Sequence, residues 1–106
     1  MKDAEILERL GATIASRLKA GPATSYVAGL AAKGQDAILK KVAEEAAETL
    51  LASKDGDKLH LIRETADLWF HCMILLAWHG VEPADVLAEL QRREGTSGIE
   101  EKSSRR

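Results

Sequence analysis

The chain has little cysteine, little proline, no excess of basic charge, no strand-like alternation and no long apolar run. Each shortage excludes something. A single cysteine, Cys72, among 106 residues rules out an internal disulfide framework, and a free thiol in an apolar segment suits a reducing cytosol. The two prolines, Pro22 and Pro83, both fall between apolar-periodic segments and leave the interiors of those segments unbroken. Lys and Arg number 15 against 17 Asp and Glu, for a net charge of -2; a general nucleic-acid binder would carry a basic face instead. The longest apolar stretch, residues 72–78, is too short to span a bilayer. The charged opening MKDAEILERL lacks the apolar core of a secretion signal. A cytoplasmic protein with neither membrane nor nucleic acid as partner is expected.

What is present is helical spacing. With 45% hydrophobic and 30% charged residues, the composition is that of a globular domain, and the length allows one domain over residues 1–106. Ile6, Leu7, Leu10, Ile14 and Leu18 form the apolar stripe of a first helix over residues 3–19, with Asp3 as its cap. A short helix follows from Thr24 or Ser25 to Gly34. A third runs over 36–54, and a fourth, capped by Asp57, runs to His79. Pro83 opens a fifth through Val86, Leu87 and Leu90. From Gly95 the pattern is lost, and residues 95–106 read as a loop or frayed tail. The expected architecture is therefore all-α, a bundle of four to five helices.

The chemistry lies in KKVAEEAAETL and RETADLWFH. On the third helix Ile38, Leu39, Val42, Ala46, Thr49 and Leu50 share a face, and Glu45 falls at its edge, with Glu48 and Lys41 one step further round and Glu44 further out. The fourth helix is apolar on most sides, which predicts burial all round. Yet His60, Glu64, Asp67 and His71 make one narrow polar stripe on it. Carboxylates beside a core are costly unless a cation or donor meets them. Two helices that each offer two carboxylates three residues apart, packed face to face, give four oxygen donors. Hard divalent cations prefer that donor set, and Mg²⁺ typically recruits substrate phosphates as well, whereas zinc prefers histidine and thiolate.

Plainer readings compete at each position. EEAAE beside Lys40 and Lys41 is also the pattern of a solvated face with i, i+4 ion pairs. Glu64 and Asp67 have Arg63 and Lys41 as candidate partners, and a lone His71 fits a satisfied core histidine. Trp69, Phe70, Met73 and Trp78 suit a core or a subunit interface, and Cys72 suits inert filler. It is the two acidic segments together that favour a metal site.

The pattern Glu44-Glu45-x-x-Glu48 followed by Glu64-x-x-Asp67 resembles the all-α nucleoside-triphosphate pyrophosphohydrolase superfamily. Beyond that motif, SYVAGLAAKGQDAILKKVAEEAAET, RETADLWFHCMILLAWHGVEPADVLAELQRR and GTSGIEEKSSR are similar to the phosphoribosyl-ATP pyrophosphohydrolase family of histidine biosynthesis. The resemblance implies Mg²⁺-dependent hydrolysis of phosphoribosyl-ATP to phosphoribosyl-AMP and pyrophosphate by a tight cytoplasmic homodimer, with Mn²⁺ as a substitute ion. It implies Glu45, Glu48, Glu64 and Asp67 as metal ligands and Glu44 and Lys41 as catalytic groups. Lys33, His71 and Lys102 would bind substrate. Three alternatives remain. A housekeeping (d)NTP pyrophosphohydrolase would share the acidic motif but not the matching tail. A di-iron bundle wants Glu-x-x-His, whereas Leu68 stands three residues before His71. A non-catalytic helical interaction module would leave the acids as ion pairs and bind no divalent ion.

Overall fold

Helical spacing becomes helices at five places and at a sixth that the pattern does not announce. The computed structural model describes residues 5–105; their elements are α1 (Glu5–Leu18), α2 (Tyr26–Ala32), α3 (Gln35–Asp55), α4 (Lys58–Trp78), α5 (Pro83–Arg93) and α6 (Gly98–Ser104). Among the described residues there is no strand. The expected cap Asp3 lies outside the described residues. The other start signals act locally. Ser25 Oγ accepts the Ala28 N–H at 3.1 Å, and the Asp57 carboxylate accepts the N–H groups of Leu59 and His60 at 3.1 and 3.2 Å. Gly56, at φ 75°, ends α3 in the left-handed conformation that glycine adopts without strain.

The turn at Gly56 and Asp57 folds α3 and α4 into a hairpin of two 21-residue helices, each about 31 Å long at ~1.5 Å per residue. One end of the hairpin holds the core. Ile38 from the start of α3 and Met73 and Ile74 from the end of α4 meet Ile14 of α1 and Val27 and Leu30 of α2. Removing a fully buried side chain such as Ile74 would leave a cavity at this junction. α1 also crosses α5 closely, since a Cβ placed on Gly11 would stand 2.7 Å from Pro83 Cγ.

Two expectations need correction. The apolar faces of α3 and α4 are not fully covered within the chain: Leu39, Leu50, Leu59, Ile62 and Trp69 are exposed. Among the described residues α1 and α2 enclose the core end, and Leu50, Leu59 and Ile62 lie toward the other end, while Leu39, next to Ile38, and Trp69, one turn before Met73, are exposed although the core is close. The tail, read as a loop, is also different: residues 98–104 form α6. Ser97 Oγ caps it by accepting the Glu100 N–H at 3.1 Å. Buried Glu101 accepts from Arg92 at 2.6 Å and lies 3.1 Å from Arg105; Glu89 holds Arg92 and Arg93 in turn. Ion pairs fasten this helix, and its one large apolar residue, Ile99, is 82% exposed, so no apolar stripe advertises it. Arg106 lies outside the described residues.

This attachment should depend on pH and salt. Arg92 and Arg93 hold the Glu89 carboxyl down at about 2, and Arg92 is the main cause that lowers Glu101. A carboxyl whose pKa is depressed by folding stabilises the fold above its ordinary value, and that contribution is lost as pH falls through the folded value. Glu101 is the carboxylate that joins α6 to α5, so the docking should hold at neutral pH and weaken once acid protonates this carboxyl below the ordinary carboxylate range. Molar salt at neutral pH should weaken it by roughly fivefold. Hydrogen exchange of amides 98–104 reports both effects. Protection indifferent to salt and to acid would show that something other than the ion pairs holds the helix.

Candidate metal centre

The middle of the α3–α4 hairpin carries the acids. Thr49 fixes the local register: its hydroxyl donates to the Glu45 carbonyl at 2.8 Å and lies 3.2 Å from the Glu64 carbonyl on the opposite helix. That pairing brings one carboxylate oxygen each from Glu45, Glu48 and Glu64 within 4.8 Å of one another. Glu45 is buried, Glu64 half-buried and Glu48 exposed. Glu45 Oε1 pairs with Lys41 Nζ at 3.3 Å, and this bond keeps the lysine pKa above its ordinary value. His60 Nε2 lies 3.6 Å from Glu64 Oε1. The second oxygens, Glu45 Oε2 and Glu64 Oε2, are buried without a hydrogen-bond partner.

Such a cluster is electrostatically incomplete. Glu48 shows this: a hydrogen bond with the Glu64 carboxyl, then the charge on that group, raise its pKa above the ordinary carboxylate value. Like charges at one spot favour retention of a proton. A carboxyl raised by folding makes the fold more stable as pH falls through its titration, the reverse of Glu89. A divalent cation would replace that proton and give the two buried, unpartnered oxygens a ligand role. Three carboxylates without thiolate fit a hard ion that takes oxygen ligands.

The remaining expected site residues are placed as follows. Glu44 is exposed and 4.0 Å from Lys41 Nζ. Asp67 is exposed and is not one of the three clustered carboxylates; its backbone carbonyl accepts from His71 Nδ1 at 2.7 Å. His71 is buried with both ring nitrogens engaged, because Nε2 bonds the Tyr26 hydroxyl at 2.7 Å. Lys33 is exposed at the end of α2, and Lys102 is exposed on α6, whose ion pairs run to α5. Sequence reasoning missed Thr49 as the link between the two acidic helices and Tyr26 as the partner of His71. Thr49 reads as a core position on α3, and Tyr26 as an ordinary apolar position on a short helix; its partner is 45 residues away.

Comparison with known proteins identifies one family. Residues 7–94 match the family described as phosphoribosyl-ATP pyrophosphohydrolase. A phosphoribosyl-ATP pyrophosphatase of Chromobacterium violaceum is 63% identical over 102 residues, covering 96% of this chain and 94% of the relative. One from Azoarcus sp. (strain BH72) is 60% identical, covering 100% and 99% respectively. One from Neisseria gonorrhoeae is 56% identical over 94% of each.

Proposed function

This chain belongs to the phosphoribosyl-ATP pyrophosphohydrolase family, and from that premise we propose that it hydrolyses phosphoribosyl-ATP to phosphoribosyl-AMP and pyrophosphate as an enzyme of histidine biosynthesis. The single observation that carries the chemistry is the cluster of Glu45, Glu48 and Glu64, with two buried oxygens that lack partners. These residues would hold Mg²⁺, or Mn²⁺ in its place, with Asp67 joining from the same face of α4. When bound, the ion supplies neutralisation of the phosphate oxygens around the reacting phosphorus.

The chain's own groups do the rest. A water oxygen forms a bond to phosphorus as the α–β bridging bond breaks, and the pyrophosphate leaves with the bridging oxygen. In this reading Glu44, exposed and only loosely paired with Lys41, takes the proton that the water loses. Lys41 is held in its charged form by Glu45 and faces the same cluster, so it can stabilise charge on the departing pyrophosphate. Lys33 and Lys102 are the substrate-binding cations in this reading, and His71 acts from its buried position. The test is product identity. Purified protein with Mg²⁺ and phosphoribosyl-ATP should yield pyrophosphate and phosphoribosyl-AMP in equal amounts. Release of single phosphate, or no release, would count against the reading.

We propose a single domain acting in the cytoplasm as a homodimer; no helix among the described residues is long and apolar enough to cross a membrane. The dimer rests on the uncovered face of α4, where Leu59, Ile62 and Trp69 are each more than half exposed. They recur at helical spacing, as a surface that seeks a partner does. Ile62→Glu should shift sedimentation at micromolar concentration from dimer to monomer. A wild-type protein that sediments as a monomer would refute the homodimer.

A further inference from the structure

Tyr26 and His71 form a pair that the acid cluster does not explain. The Tyr26 ring stands edge-on to His71, with centroids 5.6 Å apart and planes at 85°. His71 is fixed from its other side: Nδ1 lies 2.7 Å from the Asp67 carbonyl, and a carbonyl can only accept, so Nδ1 carries the proton. In the neutral ring Nε2 is then an acceptor. The 2.7 Å contact with Tyr26 is therefore a bond donated by the phenol, and the proton is turned away from solvent. What the phenol offers outward is its lone pairs.

The carbonyl that fixes His71 belongs to Asp67, three residues from Glu64 on the polar stripe of α4, so the pair sits on the side of that helix that carries the acids. Tyr26 is 53% exposed, while burial of its hydroxyl raises its pKa and keeps it a neutral phenol. The charges acting on the hydroxyl are those of Lys41, Glu45, Glu44 and Asp67, from both helices of the hairpin. A neutral acceptor at this position cannot donate to a phosphate oxygen while it donates to His71. It suits an O–H donor.

We propose that Tyr26, oriented by His71, accepts a hydrogen bond from an O–H group of the reacting complex, either the attacking water or a ribose hydroxyl of the substrate. His71 is a positioning residue on this account, in place of a phosphate ligand. The inference rests on the phosphoribosyl-ATP reading for the identity of its donor, but the Tyr26–His71 geometry does not depend on it.

Two measurements decide it. Nitrogen NMR of the metal-free protein reports the ring tautomer of His71 directly. Nδ1 should carry the proton, Nε2 should not, and Tyr26→Phe should shift the Nε2 resonance. A ring protonated at Nε2, whether neutral or cationic, would donate to the phenol oxygen and overturn the proposal whatever the activity. The second is a kinetic cycle with phosphoribosyl-ATP. Tyr26→Phe should cost about tenfold, in kcat if the donor is water and in KM if it is a ribose hydroxyl. His71→Asn should cost a similar factor and add nothing to Tyr26→Phe, because the two act through one bond. Multiplicative losses would reduce His71 to a structural role, and a Tyr26→Phe enzyme within twofold of wild type in both constants would remove Tyr26 from the site. A wild-type protein without turnover would count against the functional reading instead, with the tautomer still deciding the pair.

Discussion

Glu64→Gln should lose turnover of phosphoribosyl-ATP by on the order of a thousandfold while the protein stays folded and becomes no less stable without metal. Both halves follow from the same contacts. Glu64 supplies one of the two buried, unpartnered oxygens, so its loss removes a ligand that no neighbour replaces. It is also the group that raises the Glu48 pKa, so removing its charge relieves repulsion in the metal-free state. Metal-free Glu64→Gln should melt at or above the wild-type temperature near neutral pH, and this difference should shrink as acidification protonates Glu48 in the wild type. Glu45→Gln tests a different point, because Glu45 also pairs with Lys41; it should lose activity to a similar extent without the gain in stability. Near-normal turnover in either variant would mean that the cluster is an ion-pair network and the metal lies elsewhere.

The second large effect concerns substrate choice. Phosphoribosyl-ATP should be preferred over ATP by about a hundredfold or more in kcat/KM, as expected when several hydrogen bonds and a charged contact are present for one substrate only. The acid cluster can recognise a triphosphate and its ion but cannot tell these two substrates apart. The extra phosphate of the phosphoribosyl group calls for cationic donors; α6 and its C-terminal cap carry Lys102 and Arg105, and α5 ends on Arg92 and Arg93. Glu89, Glu94, Glu100 and Glu101 match these four cations in number, so recognition of the phosphate here rests on the placement of single cations such as Lys102 and not on a net positive charge. Deleting residues 95–106 should therefore erode the preference while leaving hydrolysis of ATP itself little changed. An unchanged ratio of kcat/KM values would remove this segment from substrate recognition. Equal rates on both substrates in the full-length protein would favour general nucleotide clean-up.

Most of the helices were legible because their signals are local. A cap such as Ser25 or Asp57 bonds to amides two or three residues away, and Pro83 opens α5 where proline costs no hydrogen bond. α6 was not legible, because its anchors are arginines on another helix and on its own last turn. The acids were legible as a group, but their division was not. Glu64 and Asp67 are equally plausible neighbours on one helix face, and only the pairing of Thr49 with the Glu64 carbonyl settles which of them meets α3 most closely. The apolar breadth of α4 was visible in the sequence; that Ile62 and Trp69 stay exposed depends on how the other helices pack along the hairpin, which is not a local signal. Tyr26 meets His71 through a contact spanning 45 residues, which no periodicity encodes.

If the carboxylates of α3 and α4 hold a divalent cation without which phosphoribosyl-ATP is not cleaved, pyrophosphate release by chelator-treated protein should follow Mg²⁺ as it is added back. Release should be negligible without the ion, recover saturably in the wild-type protein, and not recover in Glu64→Gln. Undiminished release in excess chelator would contradict the metal requirement.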